Sequence, residues 1–169
     1  MKKYTGVEYE SCENCFEKYS GVTSTLLYGN LSAIPQPWLT VLIPTYKRHE
    51  LFEQALHSVL DQYHTDFLWD IVVLDNEPYD GTANRTEKII RKLKNKRVLY
   101  YRNSESIPPA DNFNRGIQLA RGKWVTMLHD DDLLVANTLQ NIGKLIEAYD
   151  TPKKPLGAIS AKNIQFEYD

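Results

Sequence analysis

From Trp38 onward the chain alternates short apolar runs with segments whose apolar residues recur three and four apart. Leu39-Thr40-Val41-Leu42-Ile43 is a β-branched run that stops at Pro44, and it reads as a buried strand. Between Glu50 and Gln62, the residues Phe52, Ala55, Leu56, Val59 and Leu60 share one face of a helix. A second strand, Ile71-Val72-Val73-Leu74, breaks at the turn-rich segment Asp75 to Gly81. A helix over about Thr82–Lys94 turns Ile89, Ile90 and Leu93 inward, and its many cations form a solvated face. The third strand is Arg97–Tyr101. A helix near Ala110–Ala120 is closed by Gly122, and a fourth strand follows over Lys123–Leu128. The last helix, about Asn137–Tyr149, presents Leu139, Ile142, Ile146 and Tyr149 on one face, and Leu156–Ser160 begins another strand. About four strand–helix alternations predict an α/β domain with a largely parallel sheet.

Residues 1–37 lack this periodicity and end in Ile34-Pro35-Gln36-Pro37, which cannot be helical. They are expected to form an N-terminal extension packed on the domain of residues 38–169, with Leu26-Leu27-Tyr28 as its anchor. No run approaches the roughly 20 apolar residues of a membrane span, and no apolar signal core follows Met1, so a cytoplasmic location is expected, with peripheral membrane association left open. A net charge of -2 offers no general attraction for nucleic acid. Cys12 and Cys15 form a CxxC pair, but their neighbours are not strand-like and no second pair completes a zinc site, so two reduced thiols are expected.

Chemistry gathers where parallel strands end, because right-handed crossovers bring their carboxyl ends to one edge. Pro44-Thr45-Tyr46-Lys47-Arg48 follows the first strand, Asp75-Asn76 the second, Asn103-Ser104 the third, and Asp130-Asp131-Asp132 the fourth. Thr45 and Asn76 also suit turns or helix caps, Asp75 suits a turn cap, Asp132 the cap of the last helix, and His129 either packing or metal ligation. One carboxylate suffices for a cap, however. Three adjacent ones repel, and a divalent cation that also holds a phosphate would neutralise them. The chain has neither GxGxxG after the first strand nor GxxxxGK[ST] anywhere, so a diphosphate would be met by a metal and side chains.

Five collinear segments between about Trp38 and Ser160 resemble family 2 glycosyltransferases. Val41–Arg48 resembles the family's opening strand, and Ala55–Gln62 the helix after it. Ile71–Asn76 with Asp80-Gly81-Thr82 is similar to its VDDGS-x-DGT segment. Asn114-Arg115-Gly116-Ile117, with Ala120 and Gly122, resembles N-x-G-x-x-x-A-x-G, and Met127–Leu133 resembles the DXD region. The resemblance implies a GT-A fold whose N-terminal half binds a nucleotide-diphosphate sugar, a UDP-sugar first of all. It implies that Thr45 and Tyr46 line the base pocket beside Arg48, with Pro44, Asn76 and Asn114 completing the nucleotide site. Asp75 would bond the base, Asp130 would reach the ribose or the metal, Asp131 would ligate Mg2+ or Mn2+, and Asp132 would assist.

Two departures from the family pattern stand out. The family often has two acids where this chain has Leu74-Asp75, and an acid where it has His129, which shifts the DXD toward Asp130-x-Asp132. The family's acceptor site and general base lie beyond the DXD. The acids after Asp132, namely Glu147, Asp150, Glu167 and Asp169, fall in no segment resembling that region. The expectation is therefore the donor-binding part of an inverting, metal-assisted glycosyltransferase acting on a saccharide, lipid-linked or protein acceptor, with the acceptor half missing. The alternative is a donor-binding module with no activity of its own. A nucleotidyltransferase would need a glycine-rich loop where Pro44–Arg48 stands.

Overall fold

The structure, a computed structural model, describes residues 14 and 16–160. Cys12, Cys15, Glu167 and Asp169 lie outside the described residues. The elements in chain order are β1 (Ser24–Tyr28), β2 (Leu39–Thr45), α1 (His49–Leu60), β3 (Trp69–Asp75), α2 (Arg85–Leu93), β4 (Val98–Asn103), α3 (Pro109–Leu119), β5 (Trp124–Met127) and α4 (Thr138–Tyr149). They form one five-stranded sheet in the order β1-β4-β3-β2-β5. The four strands β4, β3, β2 and β5 are parallel, and β1 lies antiparallel on β4.

Strands β2, β3 and β4 are buried at every position, as expected of parallel strands covered on both faces. Alternate side chains feed two cores. Leu39, Val41 and Ile43 join Ile71 and Val73 beneath Phe52, Leu56 and Val59 of α1, Ile90 of α2 and Leu139 of α4. Leu42, Val72, Leu74 and Leu99 face the other way, where Leu119 of α3 packs on them. Gly116 lets α3 come close, since a Cβ there would sit 2.7 Å from Leu42 Cδ1.

At the opposite end from the strand carboxyl termini, Asp70 is fully buried. It accepts from Thr40 Oγ1 at 2.7 Å and from Arg121 Nε and Nη2 at 2.9 and 2.8 Å. The same guanidinium donates to the carbonyls of Leu31 and Ile34. One buried charge pair thus ties β2, β3, the α3–β5 corner and the segment before β2.

Several expectations need correction. Leu26-Leu27-Tyr28 packs on the core as the expected anchor, but does so within the edge strand β1, which was not expected; a register shift between Leu26 and Tyr28 interrupts the alternation that marks a strand. Strand β2 continues through Pro44 to Thr45. Residues 156–160 form no strand and are mostly exposed, because no sheet edge pairs with them. Tyr149 is exposed, so the inner face of α4 is Leu139, Gly143 and Ile146. That helix is preceded by Asn137, which excludes Asp132 as its cap.

Asp70→Ala leaves Arg121 without its counter-charge, and a loss of about 3 kcal/mol is expected in urea unfolding. Asp66→Ala, at an exposed position, should stay within about 0.5 kcal/mol. Equal stabilities of the two variants would refute the staple.

Candidate functional site

The chain leaves β2 toward β3 through α1, and leaves β4 through α3 to reach the far side of β2. The connections therefore diverge between β2 and β5, where an open α/β sheet forms its ligand crevice. A cleft of about 190 Å³ lies there. The end of β2 supplies Pro44, Thr45, Tyr46 and Arg48; Asn76 enters from β3, and His129 and Asp130 from beyond β5. Six of the eight residues expected at the nucleotide site, Pro44, Thr45, Tyr46, Arg48, Asn76 and Asp130, thus meet in one place.

Pro44 helps to open the cleft. Leu42 O accepts from Leu128 N on the β5 side, and Thr45 O accepts from Asn76 N on the β3 side. By alternation Pro44 faces β5, where it has no N–H to offer, so the β2–β5 ladder stops. The chain after Leu128 is released into the turn closed by Asp132 N and His129 O.

Along that turn the three aspartates part company. Asp130 is buried, whereas Asp131 and Asp132 are exposed. Thr45 Oγ1 donates to Asp130 Oδ2 at 2.8 Å, which fixes the carboxylate against the end of β2. Arg48 Nη1 lies 3.3 Å from Asp130 Oδ1 and 2.5 Å from Asp131 Oδ2. Two carboxylates therefore converge on one cationic nitrogen. Asp132 takes no part in this pairing, and among the described residues no group of three His, Cys, Asp or Glu side chains is placed to hold a metal. His129 lies edge-on to Phe113 with ring centroids 5.1 Å apart, and both line the cleft.

Asp75 is absent from the cleft wall. It is fully buried, and its carboxylate accepts from Glu77 N at 2.9 Å, Asn84 Nδ2 at 2.8 Å and the Tyr100 hydroxyl at 2.9 Å. Asn84 also caps α2 by accepting from Glu87 N. Buried Arg102 donates to the carbonyls of Glu77, Pro78 and Thr82, so the loop after β3 is held from below at both ends. Burial pushes the Asp75 carboxyl above its ordinary value, against the lowering effect of the bonds from Asn84, Glu77 and Tyr100. The same desolvation, with the Asp75 charge beside it, pushes the Tyr100 hydroxyl up.

Asn114 is likewise not in the cleft wall. The first turns of α3 contribute Pro109, Asn112 and Phe113 instead. Sequence reasoning missed these three, although a signal existed: i, i+3 and i+4 from a helix start that follows a strand's carboxyl end share one face. Asn112 is buried, and its Oδ1 accepts from Asn103 Nδ2 at 2.8 Å. Asp150, one of the acids after Asp132, pairs with Lys123 and accepts from Leu156 N, outside the cleft.

A carboxyl whose pKa is raised by folding adds most to stability below its unfolded value, and that contribution is lost as pH rises through the folded value. For Asp75 the loss begins near 3.8. Asp75→Asn removes this titration, so the stability of wild type relative to the variant should fall as pH rises above about 4 in urea unfolding. A constant difference would remove the burial argument.

The profile for Glycosyl transferase family 2 matches residues 40–158. A GalNAc(5)-diNAcBac-PP-undecaprenol beta-1,3-glucosyltransferase of Campylobacter jejuni is 32% identical over 109 residues, covering 63% of this chain and 33% of the relative. The abequosyltransferase RfbV of Salmonella typhimurium is 32% identical over 101 residues, covering 60% and 30%. Among solved structures, S. aureus TarS 1-349 superposes with a TM-score of 0.56 at 23% identity, over 66% of this chain and 32% of TarS, and shows the shared fold. The mannosyltransferase PcManGT of Pyrobaculum calidifontis, in complex with GDP-Man and Mn2+, superposes with a TM-score of 0.54 at 25% identity, over 68% and 33%. The chain spans about a third of the length of the relatives it matches. The sheet is that of a GT-A fold, and the chain belongs to glycosyl transferase family 2.

Proposed function

We propose that this chain is the donor-binding part of an inverting glycosyltransferase and that the cleft between β2 and β5 receives a nucleotide-diphosphate sugar. One observation carries the reading: a buried, hydrogen-bonded carboxylate, Asp130, shares a cation with an exposed one, Asp131, at the rim of a cleft otherwise lined in large part by the uncharged residues Pro44, Tyr46, Asn76, Pro109, Asn112 and Phe113. That division suits a ligand with a planar base at one end and a diphosphate at the other. PcManGT, solved with GDP-Man and Mn2+, supports the same reading.

The pair Asp130 and Asp131 fits Mg2+ or Mn2+, since both already converge on the positive charge of Arg48. Two protein carboxylates are few, which suits a hard cation that takes its other oxygens from substrate phosphate and water. When bound, such a cation stabilises charge growing on the leaving diphosphate. Thr45 would keep Asp130 oriented. Arg48, released from the two carboxylates, would sit within reach of the phosphates as a further counter-charge. Tyr46, 43% exposed at the rim, would cover the base, and Asp75 would act through the loop it holds. The donor's anomeric carbon would then be open to attack by an acceptor hydroxyl from the solvent side. Saccharide, lipid-linked and protein hydroxyls all suit that step, and the acceptor site is assigned to chain outside these residues. Among the described residues no helix is long and apolar enough to cross a membrane.

Calorimetric titration with UDP- and GDP-sugars, with and without Mn2+, tests the proposal. Binding of at least one donor should strengthen at least about tenfold when the metal is added. Asp131→Ala should erase that gain while leaving stability within about 0.5 kcal/mol, because the residue is exposed. Failure of every nucleotide sugar to bind in either condition would sink the proposal. A metal gain that survives in Asp131→Ala would remove Asp131 from the site.

A further inference from the structure

Behind the uncharged part of the cleft stand three buried amides, Asn76, Asn103 and Asn112. Asparagine amides have two unlike ends, and which end faces where is decided by the groups they meet. Here the decision starts at the backbone of Ile107. Its N–H donates to Asn76 Oδ1 at 3.0 Å, and its carbonyl accepts from Asn76 Nδ2 at 2.7 Å. A backbone N–H cannot accept and a carbonyl cannot donate, so the Asn76 amide has one possible orientation.

Asn76 Oδ1 also takes a bond from Asn103 Nδ2 at 3.0 Å, which sets the next amide. An independent group at the other end of Asn103 agrees. Arg115 Nε donates to Ser24 Oγ at 2.9 Å, and an arginine can only donate, so the Ser24 hydroxyl gives its own proton to Asn103 Oδ1 at 2.8 Å. The second N–H of Asn103 then goes to Asn112 Oδ1 at 2.8 Å. The oxygen of Asn112 is thereby used on the strand side. Its Nδ2 has no protein acceptor among the described residues, although Asn112 is only 3% exposed and lines the cleft beside Phe113 and Pro109.

We infer that Asn112 is a specificity-determining residue that presents a fixed N–H donor to the nucleobase, and that the cleft selects bases with a keto oxygen at pyrimidine C4 or purine C6 over bases with an amino group at that position. The inference rests on the nucleotide-sugar reading of the cleft. Uracil, thymine and guanine would complete the bond. Cytosine and adenine, docked in the same orientation, would set their C4 or C6 amine against the amide N–H and leave both donors without an acceptor. Asn112 cannot turn its oxygen outward in response, since doing so would oppose Asn103 Nδ2, which the chain from Ile107 and Ser24 holds in place. Phe113, packed against His129, supplies an apolar surface next to this donor.

The test is competition binding of UDP, GDP, CDP and ADP to the chain in the presence of Mn2+, with pyrophosphate as a probe of the phosphate end alone. UDP and GDP are expected to bind at least about tenfold tighter than CDP and ADP. Asn112→Leu, of similar volume but without a donor, should bring UDP down to the level of CDP and leave pyrophosphate unchanged. Equal affinities of UDP and CDP for the wild-type chain would overturn the inference and leave the nucleotide site standing; that comparison needs no variant to fold. Retention of the preference by Asn112→Leu would overturn it as well. If no nucleoside diphosphate binds at all, the inference falls together with the nucleotide-sugar reading.

Discussion

Strand β2 has to satisfy two parallel neighbours at once, and the rest of the molecule follows from that demand. It is the first of the parallel strands, yet it ends up inside the sheet, with β3 on one side and β5 on the other. The chain can reach both sides only if successive crossovers diverge, which places α1 and α3 on opposite faces and opens a crevice at the strand ends. Pro44 then ends one ladder while Thr45 continues the other. The position that would have been one more hydrogen-bonded rung becomes the mouth of the cleft, and the Thr45 hydroxyl holds Asp130 at its edge.

The two ends of the cleft are built on different physical terms. At the Asn112 end every amide is oriented by partners that cannot reverse, back to Ile107 and Ser24, so the polarity offered to a ligand is set before the ligand arrives. At the aspartate end Asp131 and Arg48 are partly exposed and paired with each other, an arrangement that solvent screens and another cation can replace. Rigidity at one end favours discrimination, and exchangeable charge at the other favours binding a diphosphate with its metal. Asp75 and Arg102 belong to the rigid part. They are buried groups whose bonds, apart from the one Asp75 accepts from the Tyr100 hydroxyl of β4, are directed at the loop after β3, which they hold in one shape.

Much of the fold was legible from residue patterns, because strands buried on both faces read as apolar runs and helices on one face as three-four spacing. Strands β2 to β5 and helices α1 to α4 were found within a few residues. Strand β1 was missed, since five residues with a register shift carry no clear alternation. The strand expected at 156–160 does not form: the segment pairs with neither β1 nor β5, the two edges of the sheet. Asp130 was singled out by its clustering with other acids and lines the cleft, but the same cluster made Asp132 look equivalent, and the turn at His129 leaves Asp132 outside the pairing with Arg48. Asp75 looked like a ligand contact because acids at strand ends so often are. Its neighbours Tyr100 and Asn84, distant in sequence, consume its oxygens instead.

What the sequence determined by itself is the alternation of strands and helices, the placing of polar residues at strand ends, and the order of motifs that marks the family. These depend on local spacing along the chain and need no knowledge of partners. Only the tertiary structure decided which of those polar residues face a common space and which end of each amide is presented there. Asn112 gains its meaning from Asn103, Asn76, Ile107 and Ser24, which meet only when β1, β4 and α3 pack together. A hydrogen bond's direction is a property of the pair, and in this cleft the pairs are made by folding.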